Sequence, residues 1–279
     1  MPSLDMDLSS LSQPPPFYNS VSTSEADIKR WINYTLLVPL CAVGNVGQLA
    51  CDLIISTLLS NGLCKLAGRI YSPALMPVAG PNAYDHNSDN DQPSTATEVY
   101  ECPSKKLVIM QQRTSYFREL KHLYIREFVQ WVQDCKFAKV IVLTSSFAQC
   151  NPDTAHLGQE SSSPYYIVTG ESSEDLSRLL ESLHLRQVPD EKTNTALRNG
   201  LTYLPGSGLT RMLIESFRNY SIAATFLIQF CSEGENIQDA YIVANAVDKL
   251  PLICDAHSKH QLLSSDNGWL EPSSWQERS

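Results

Sequence analysis

The apolar residues between positions 34 and 250 alternate between two patterns. Short, continuous apolar runs predict strands, whereas apolar residues three or four positions apart predict helices. The predicted strands cover residues 34–40, 106–111, 139–144, 165–169, 201–204 and 223–230. The predicted helices cover residues 48–59, 118–134, 171–185, 210–217 and 236–250. Strands and helices therefore alternate along the chain.

The predicted strands are apolar throughout, which is typical of strands covered on both faces. This pattern predicts the α/β class, with a three-layer α/β/α sandwich around a mostly parallel or mixed sheet. The helix at 48–59 is apolar almost all round, so we expect it to lie in the core. A helix that lends one face to a partner is the alternative.

Composition divides the chain into three parts. Residues 1–30 are rich in Ser, Pro and acidic residues and are predicted to be a disordered N-terminal segment. Residues 31–253 are predicted to form a single α/β domain, and residues 254–279 an irregular C-terminal tail. Polar, turn-forming stretches at 82–97, 150–163 and 189–199 are predicted loops.

Two glycine turns join predicted strands to predicted helices. In Gly44-Asn45-Val46-Gly47 the new helix could bind a phosphate at its N-terminus. The turn lacks the G-x-G-x-x-G spacing of dinucleotide sites and the G-K-[ST] ending of phosphate loops. The second turn, Pro205-Gly206-Ser207-Gly208, lacks both flanking glycines of a nucleophile elbow. We therefore interpret Gly44, Gly47, Gly206 and Gly208 as structural glycines.

Charge and residue content narrow the functional classes. The net charge of −9 disfavours nucleic acid as a partner, because a phosphate backbone would be repelled. The eight cysteines include no C-x-x-C pair and are predicted to be reduced thiols. The stretch 254–260 holds a thiol and two imidazoles. No second cluster supplies a fourth ligand, so we do not predict a metal site there. We predict no catalytic residue, no cofactor and no metal.

The sequence was also searched for targeting and membrane-spanning segments. Residues 1–20 lack a basic start and an apolar segment, and the apolar stretch 49–66 is interrupted by Asp52, Asn61 and Gly62. We therefore expect neither an export signal nor a membrane span.

Trp269 and Trp275 are aromatic residues in the predicted tail, where they could dock on the body or on a partner. They are the candidate partner-interface residues.

Six segments resemble, in order, those of the proteasome assembly chaperone 2 family. They are VGNVGQLACDLIISTL (43–58), EVYECPSKKLV (98–108), KVIVLTSS (139–146), LPGSGLT (204–210), SEGENIQDA (232–240) and EPSSW (271–275). Together they extend from the first predicted strand to the predicted tail.

The resemblance implies a three-layer α/β fold related in outline to nucleoside phosphorylases. It also implies a chaperone without catalysis, which forms a heterodimer with proteasome assembly chaperone 1 and binds α-subunits of the core proteasome. That dimer would promote assembly of the seven-membered α-ring and block wrong pairings, in cytoplasm and nucleus. Some relatives end in a hydrophobic–Tyr–any-residue tail that inserts between α-subunits. This chain ends Glu277-Arg278-Ser279, so we do not expect such insertion.

The alternative is a phosphorylase-like enzyme acting on a nucleoside or a phosphorylated metabolite. Such an enzyme should place Gly206, Ser207 and Gly208 beside convergent charged groups in a deep pocket. An assembly chaperone should use its surface instead, with an apolar patch for a permanent partner.

Overall fold

A sheet of nine strands forms the centre of the computed structural model, which describes residues 17–21, 31–84, 93–152, 163–170, 174–189, 203–250 and 268–276. The strands are β1 (Tyr18–Ser20), β2 (Thr35–Pro39), β3 (Lys65–Ile70), β6 (Thr97–Cys102), β7 (Leu107–Gln112), β8 (Lys139–Phe147), β9 (Tyr165–Thr169), β10 (Arg186–Gln187) and β11 (Ala224–Cys231). Two short strands, β4 (Ala79–Gly80) and β5 (Ser94–Thr95), pair separately.

The spatial order of the large sheet is β1-β3-β6-β7-β2-β8-β11-β9-β10. Its middle, β7-β2-β8-β11, is parallel. The strands β1, β3, β6 and β7 form antiparallel pairs, and β9 is antiparallel to β11. The sheet is therefore mixed, with a parallel centre.

Helices cover both faces of this sheet. They are α1 (Val46–Ser60), α2 (Lys121–Cys135), α3 (Glu174–Ser182), α4 (Thr210–Asn219), α5 (Ile237–Lys249) and α6 (Ser273–Gln276). Successive strand residues point to opposite faces. Leu36 of β2 packs in the core shared with α2 and α4, whereas Leu37 packs in the core shared with α1 and α5. The predicted three-layer α/β/α sandwich with a mixed sheet is confirmed.

Helix α1 lies against the sheet and against α5, and its side chains from Ala50 to Leu58 are buried. This confirms its predicted place in the core. By length and composition alone, Val43–Ser60 could cross a membrane, but 61% of that stretch is buried inside the fold. Its apolar character is thus explained by intramolecular packing on two sides.

The sequence prediction missed β3 and β6, and it wrongly placed the start of β6 in a loop. Strand β6 buries two acidic residues, and β3 carries Lys65 and Arg69, so neither has the pattern of an apolar strand. Glu101 accepts a hydrogen bond from Trp31 Nε1 at 3.0 Å, and Glu98 accepts one from the Tyr100 hydroxyl at 2.9 Å. The predicted strand at 201–204 is also wrong for residues 203 and 204, which precede a turn; residues 201 and 202 lie outside the described residues.

The predicted disorder of residues 1–30 is wrong for residues 17–21. Strand β1 pairs with β3, and the buried Tyr18 ring packs edge-on against Trp31 with centroids 5.0 Å apart. Aromatic burial compensates here for ordering a short segment. Residues 1–16 and 22–30 lie outside the described residues, as do residues 251–253 of the predicted domain and 254–267 and 277–279 of the predicted tail.

Candidate functional site

A cleft of about 810 Å³ opens at the carboxyl ends of β2 and β7. Helix α1 follows β2 onto one face of the sheet, and α2 follows β7 onto the other. Adjacent parallel strands whose connections leave to opposite faces create a crevice, where α/β proteins commonly bind ligands. The residues that line this cleft are Gly44, Asn45, Gln48, Leu49, Asp52, Gln111, Gln112, Arg113, Gly234, Glu235, Asn236, Ile237, Ser274 and Trp275.

The buried carboxylate of Asp52 organises the cleft floor. Its Oδ1 accepts hydrogen bonds from the Tyr84 hydroxyl at 2.6 Å, Gln111 Nε2 at 2.7 Å and Arg113 Nη2 at 3.0 Å. These donors come from β7, the residue after it, and the loop following β4. A buried carboxylate requires such compensation, because an unpaired buried charge is costly. The donors hold Asp52 in a structural role and leave it poorly placed to act as a free base.

The neighbours of Asp52 have pKa values far from neutral. Burial raises the pKa of the Tyr84 hydroxyl well above its usual range, and the nearby negative charge of Asp52 raises it further. Burial acts to lower the pKa of Arg113, but Tyr84 and Asp52 outweigh it and raise that pKa. The guanidinium carbon of Arg113 also lies 5.2 Å from the centre of the Tyr84 ring. Tyr84 therefore remains a neutral donor, and Arg113 remains a cation.

The first glycine turn forms one wall of the cleft. Gly44 has φ +69°, and a Cβ on it would lie 2.5 Å from Asn236 Nδ2. A Cβ on Gly47 would lie 2.7 Å from the Leu143 carbonyl oxygen. Glycine thus allows the start of α1 to approach both the start of α5 and strand β8.

The second glycine turn lies away from the cleft lining. Gly206 and Gly208 have φ values of +79° and +60°. Ser207 is buried, and its Oγ donates to the Leu204 carbonyl oxygen at 2.7 Å. Its own carbonyl accepts the Thr210 hydroxyl at 2.6 Å, at the start of α4. The Ser207 hydroxyl thus stabilises the turn, and the arrangement expected for the enzyme alternative is not observed among the described residues.

The two candidate tryptophans occupy different environments on the body of the protein. Trp269 is only 8% exposed, and its Nε1 donates to Asn245 Oδ1 of α5 at 2.8 Å. The adjacent Leu270 N–H donates to Thr57 Oγ1 of α1 at 2.8 Å. Trp275 is half-buried and lines the cleft. Trp269 therefore docks on the body, one of the two options, whereas a partner contact by Trp275 stays a prediction.

Sequence reasoning did not select the Asp52 cluster. The signal was present, because a carboxylate inside an otherwise apolar buried helix needs a charged or polar partner. The partner could not be read from the chain, since Arg113 lies 61 residues away from Asp52. Within the described residues, no three His, Cys, Asp or Glu side chains could hold a metal ion together. The stretch 254–260 lies outside those residues.

Comparison with known proteins agrees with the resemblance seen in the six segments. The chain is 32% identical over 253 residues to proteasome assembly chaperone 2 of Xenopus tropicalis, covering 88% of this chain and 90% of that protein. It is 32% identical over 246 residues to the protein of the same name from Homo sapiens, covering 87% and 90%.

A solved structure shares the fold. Pyrococcus furiosus PbaA, described as an archaeal homolog of proteasome-assembly chaperone, matches with a TM-score of 0.57 and 16% identity, over 84% of this chain and 81% of that chain. The sequence profile of the PAC2 family matches residues 36–250, the region from β2 to the end of α5. The chain belongs to the PAC2 family.

Proposed function

We propose that this protein is a chaperone of proteasome assembly. It binds α-subunits of the core proteasome and promotes formation of the α-ring as one half of a heterodimer with proteasome assembly chaperone 1. One observation carries the proposal: the 32% identity with proteasome assembly chaperone 2 of Xenopus tropicalis extends over 88% of this chain and 90% of that protein.

The geometry of the candidate site supports a binding role without catalysis. In the cleft, the Asp52 carboxylate serves as acceptor for Tyr84, Gln111 and Arg113. At the second turn, the Ser207 hydroxyl is bonded to the backbone. Catalysis would require a nucleophile or base aimed at a substrate. We therefore infer that the hydrogen bonds of the site stabilise the fold, and that the protein acts through surfaces that bind other proteins.

The same proposal covers where the protein works. The family resemblance implies work in the cytoplasm and nucleus, so we expect the chaperone in both compartments. Neither nucleic acid nor a membrane is part of the proposed function.

Co-expression tests this proposal directly. The tagged chain is produced with proteasome assembly chaperone 1 of the same organism and with proteasome α-subunits, and captured proteins are identified by mass spectrometry. We expect a 1:1 complex of the two chaperones that also retains α-subunits. Proteasome β-subunits, expressed in a parallel culture, are the control and should not be retained.

Behaviour of the chain alone gives a second measurement. An obligate half-dimer exposes its partner surface, so we expect poor solubility or self-association in the absence of the partner. Size-exclusion chromatography with light scattering measures this state. A stable monomer that captures neither the partner chaperone nor α-subunits contradicts the proposal.

A further inference from the structure

Two buried cysteines face each other across the strands β3 and β6. In this antiparallel pair Lys65 lies opposite Glu101, so the same register places Cys64 directly opposite Cys102. Directly opposite residues of antiparallel strands have Cα atoms about 4.5–5.5 Å apart, within the range of about 4.4–6.8 Å that a disulfide spans. The backbone therefore holds the two cysteines at a separation that a disulfide can bridge.

The side chains of this pair lie on the same face of the sheet. Successive strand residues alternate between faces, so directly opposite partners share one. Cys64 and Cys102 both pack in the core shared with α1 and α5, whereas the intervening Glu101 accepts a hydrogen bond from Trp31 in the opposite core. Burial raises the pKa of the Cys64 thiol well above its usual range, and a hydrogen bond with the Cys102 thiol raises it further. The two free thiols are thus in contact.

One of the two thiols lies next to solvent. Cys102 has no exposed surface, whereas Cys64 is 9% exposed and follows residues 60–62, which are all exposed. The turn that leads to Cys64 is ordered, because Leu63 N–H donates to the Leu58 carbonyl oxygen at 2.9 Å. Of the two thiols, Cys64 is therefore the one that a small oxidant reaches first.

We propose that Cys64 and Cys102 form a modification site, at which hydrogen peroxide converts the two thiols into a disulfide between β3 and β6. The Cys64 thiolate attacks one peroxide oxygen, the O–O bond breaks, and the leaving hydroxide takes up a proton to become water. The Cys102 sulfur then attacks the sulfenic acid formed on Cys64, so that the S–S bond forms, the S–O bond breaks and a second water leaves. Two electrons pass from the thiols to the peroxide, and the two thiol protons end in the two waters.

Burial of the pair determines how it reacts. The thiolate is the reactive form, and the raised pKa of Cys64 makes it scarce at neutral pH, so the oxidation is slow and needs an excess of peroxide. Because Cys102 lies in contact with Cys64, the sulfenic acid is captured before it is oxidised further to a sulfinic acid. A thiol reductant reverses the bond, so in a reducing compartment it is transient.

Peptide mapping of the full chain tests this site. The chain is treated with hydrogen peroxide, the remaining thiols are alkylated, and tryptic peptides are analysed by mass spectrometry without reduction. We expect the peptide 70–105, which contains Cys102, to be linked to the peptide 31–65, which contains Cys64 and two other cysteines. Fragmentation of the linked peptides should place the bond on Cys64, and a reductant should restore both thiols.

Two variants separate this pairing from random oxidation. Cys64→Ala should abolish the link between the two peptides. Cys51→Ala is the matched control and should keep the link, because Cys51 is buried in the same core and lies on the same peptide as Cys64. Oxidation of the unmodified chain in denaturing urea should link Cys102 to other cysteines as well, since the register no longer selects its partner.

Each of four results overturns the inference. In the folded chain they are a Cys64 and a Cys102 that stay reduced while the partly exposed Cys150 is oxidised, a bond from Cys102 to another cysteine, a sulfinic acid at Cys64 without a link, and a bond that joins two chains in non-reducing electrophoresis. If Cys64→Ala does not fold, fragmentation of the linked peptides from the unmodified chain still decides which cysteine is bonded.

Discussion

At the residue scale, the buried carboxylate of Asp52 is stabilised by hydrogen-bond donors that converge on it. Asp52 lies in the most apolar helix and is matched by Arg113, with nitrogen and oxygen 3.0 Å apart. Tyr84 and Gln111 occupy the remaining hydrogen-bonding capacity of the same oxygen. The cluster fixes α1 to the end of β7 and so determines the shape of the cleft floor.

Removal of this carboxylate should be costly. Asp52→Ala leaves Arg113 without its counter-ion and removes the acceptor used by Tyr84 and Gln111. We expect the free energy of unfolding to fall by about 3–5 kcal/mol, as when one partner of a buried pair is lost. Urea denaturation followed by circular dichroism measures the change. Glu235→Ala, an exposed acid on the same cleft, is the control and should change the value by less than about 0.5 kcal/mol.

The contact at Gly47 gives a prediction about packing alone. A methyl group there meets the Leu143 carbonyl oxygen, a backbone atom that cannot move aside easily. Gly47→Ala should therefore destabilise the protein by about 1–3 kcal/mol, because α1 must shift from β8. Gly80→Ala is the control, since a Cβ at Gly80 has no atom within 4 Å. Equal melting temperatures for the two variants would show that the close approach is unimportant.

At the scale of elements, residues 268–276 pack across two helices, α1 and α5, and hydrogen-bond to both. The Trp269 indole N–H donates a hydrogen bond to the Asn245 side chain of α5, and the Leu270 backbone N–H donates one to the Thr57 hydroxyl of α1. The Ser273 hydroxyl donates to the Ala83 carbonyl oxygen at 3.1 Å, next to Tyr84 of the cleft cluster. Residues 268–276 therefore belong to the folded body and close one side of the cleft.

Loss of the Trp269 indole should weaken the packing of residues 268–276 against α1 and α5. Trp269→Ala removes a large buried side chain and one hydrogen bond, and we expect a loss of about 3–5 kcal/mol in the free energy of unfolding. Trp275→Ala, at a half-buried position, should cost less. Limited proteolysis provides the local measurement, because the Trp269→Ala chain should be cut sooner near residue 268. Equal cleavage rates for both variants and the parent chain would contradict the docking.

At the scale of the whole molecule, buried thiols link stability to pH. Burial raises the pKa of Cys135 to about 12, and nearby Asp134 adds to the effect. Burial, with Asp239, raises the pKa of Cys231 to about 11. The ordinary thiol pKa is 9.0, so these groups ionise at lower pH in the unfolded chain than in the folded one. Their contribution to stability is complete below pH 9 and is lost as pH rises toward 11 and 12.

The expected result is alkaline destabilisation. Each of the two thiols should lower the free energy of unfolding by about 1 kcal/mol between pH 9 and pH 10. Urea denaturation at pH 7, 8, 9 and 10 in the presence of a reductant measures the profile. Cys135→Ala removes one titrating group, so its profile should be shallower by that amount. A profile that does not change in Cys135→Ala would contradict the assignment.

The apolar runs by themselves determined the α/β/α sandwich, with a sheet predicted to be mostly parallel or mixed. Strands such as β8 and β11 contact helices on both faces, so nearly every residue must be apolar, and that pattern is visible without coordinates. The apolar circumference of α1 likewise indicated its burial in the core. For these elements, local composition and global position agree.

Only the tertiary structure decided the rest. Strand β6 buries Glu101, which accepts a hydrogen bond from Trp31, 70 residues away in sequence, and β1 is ordered by rings from Trp31 and Trp131. The cleft depends on Asp52 and Arg113, which meet because β7 lies beside α1. The physical reason is that a buried polar group needs a hydrogen-bond partner or a counter-ion to offset the cost of its burial. That partner is close in space but distant in sequence, so the sequence alone does not identify it.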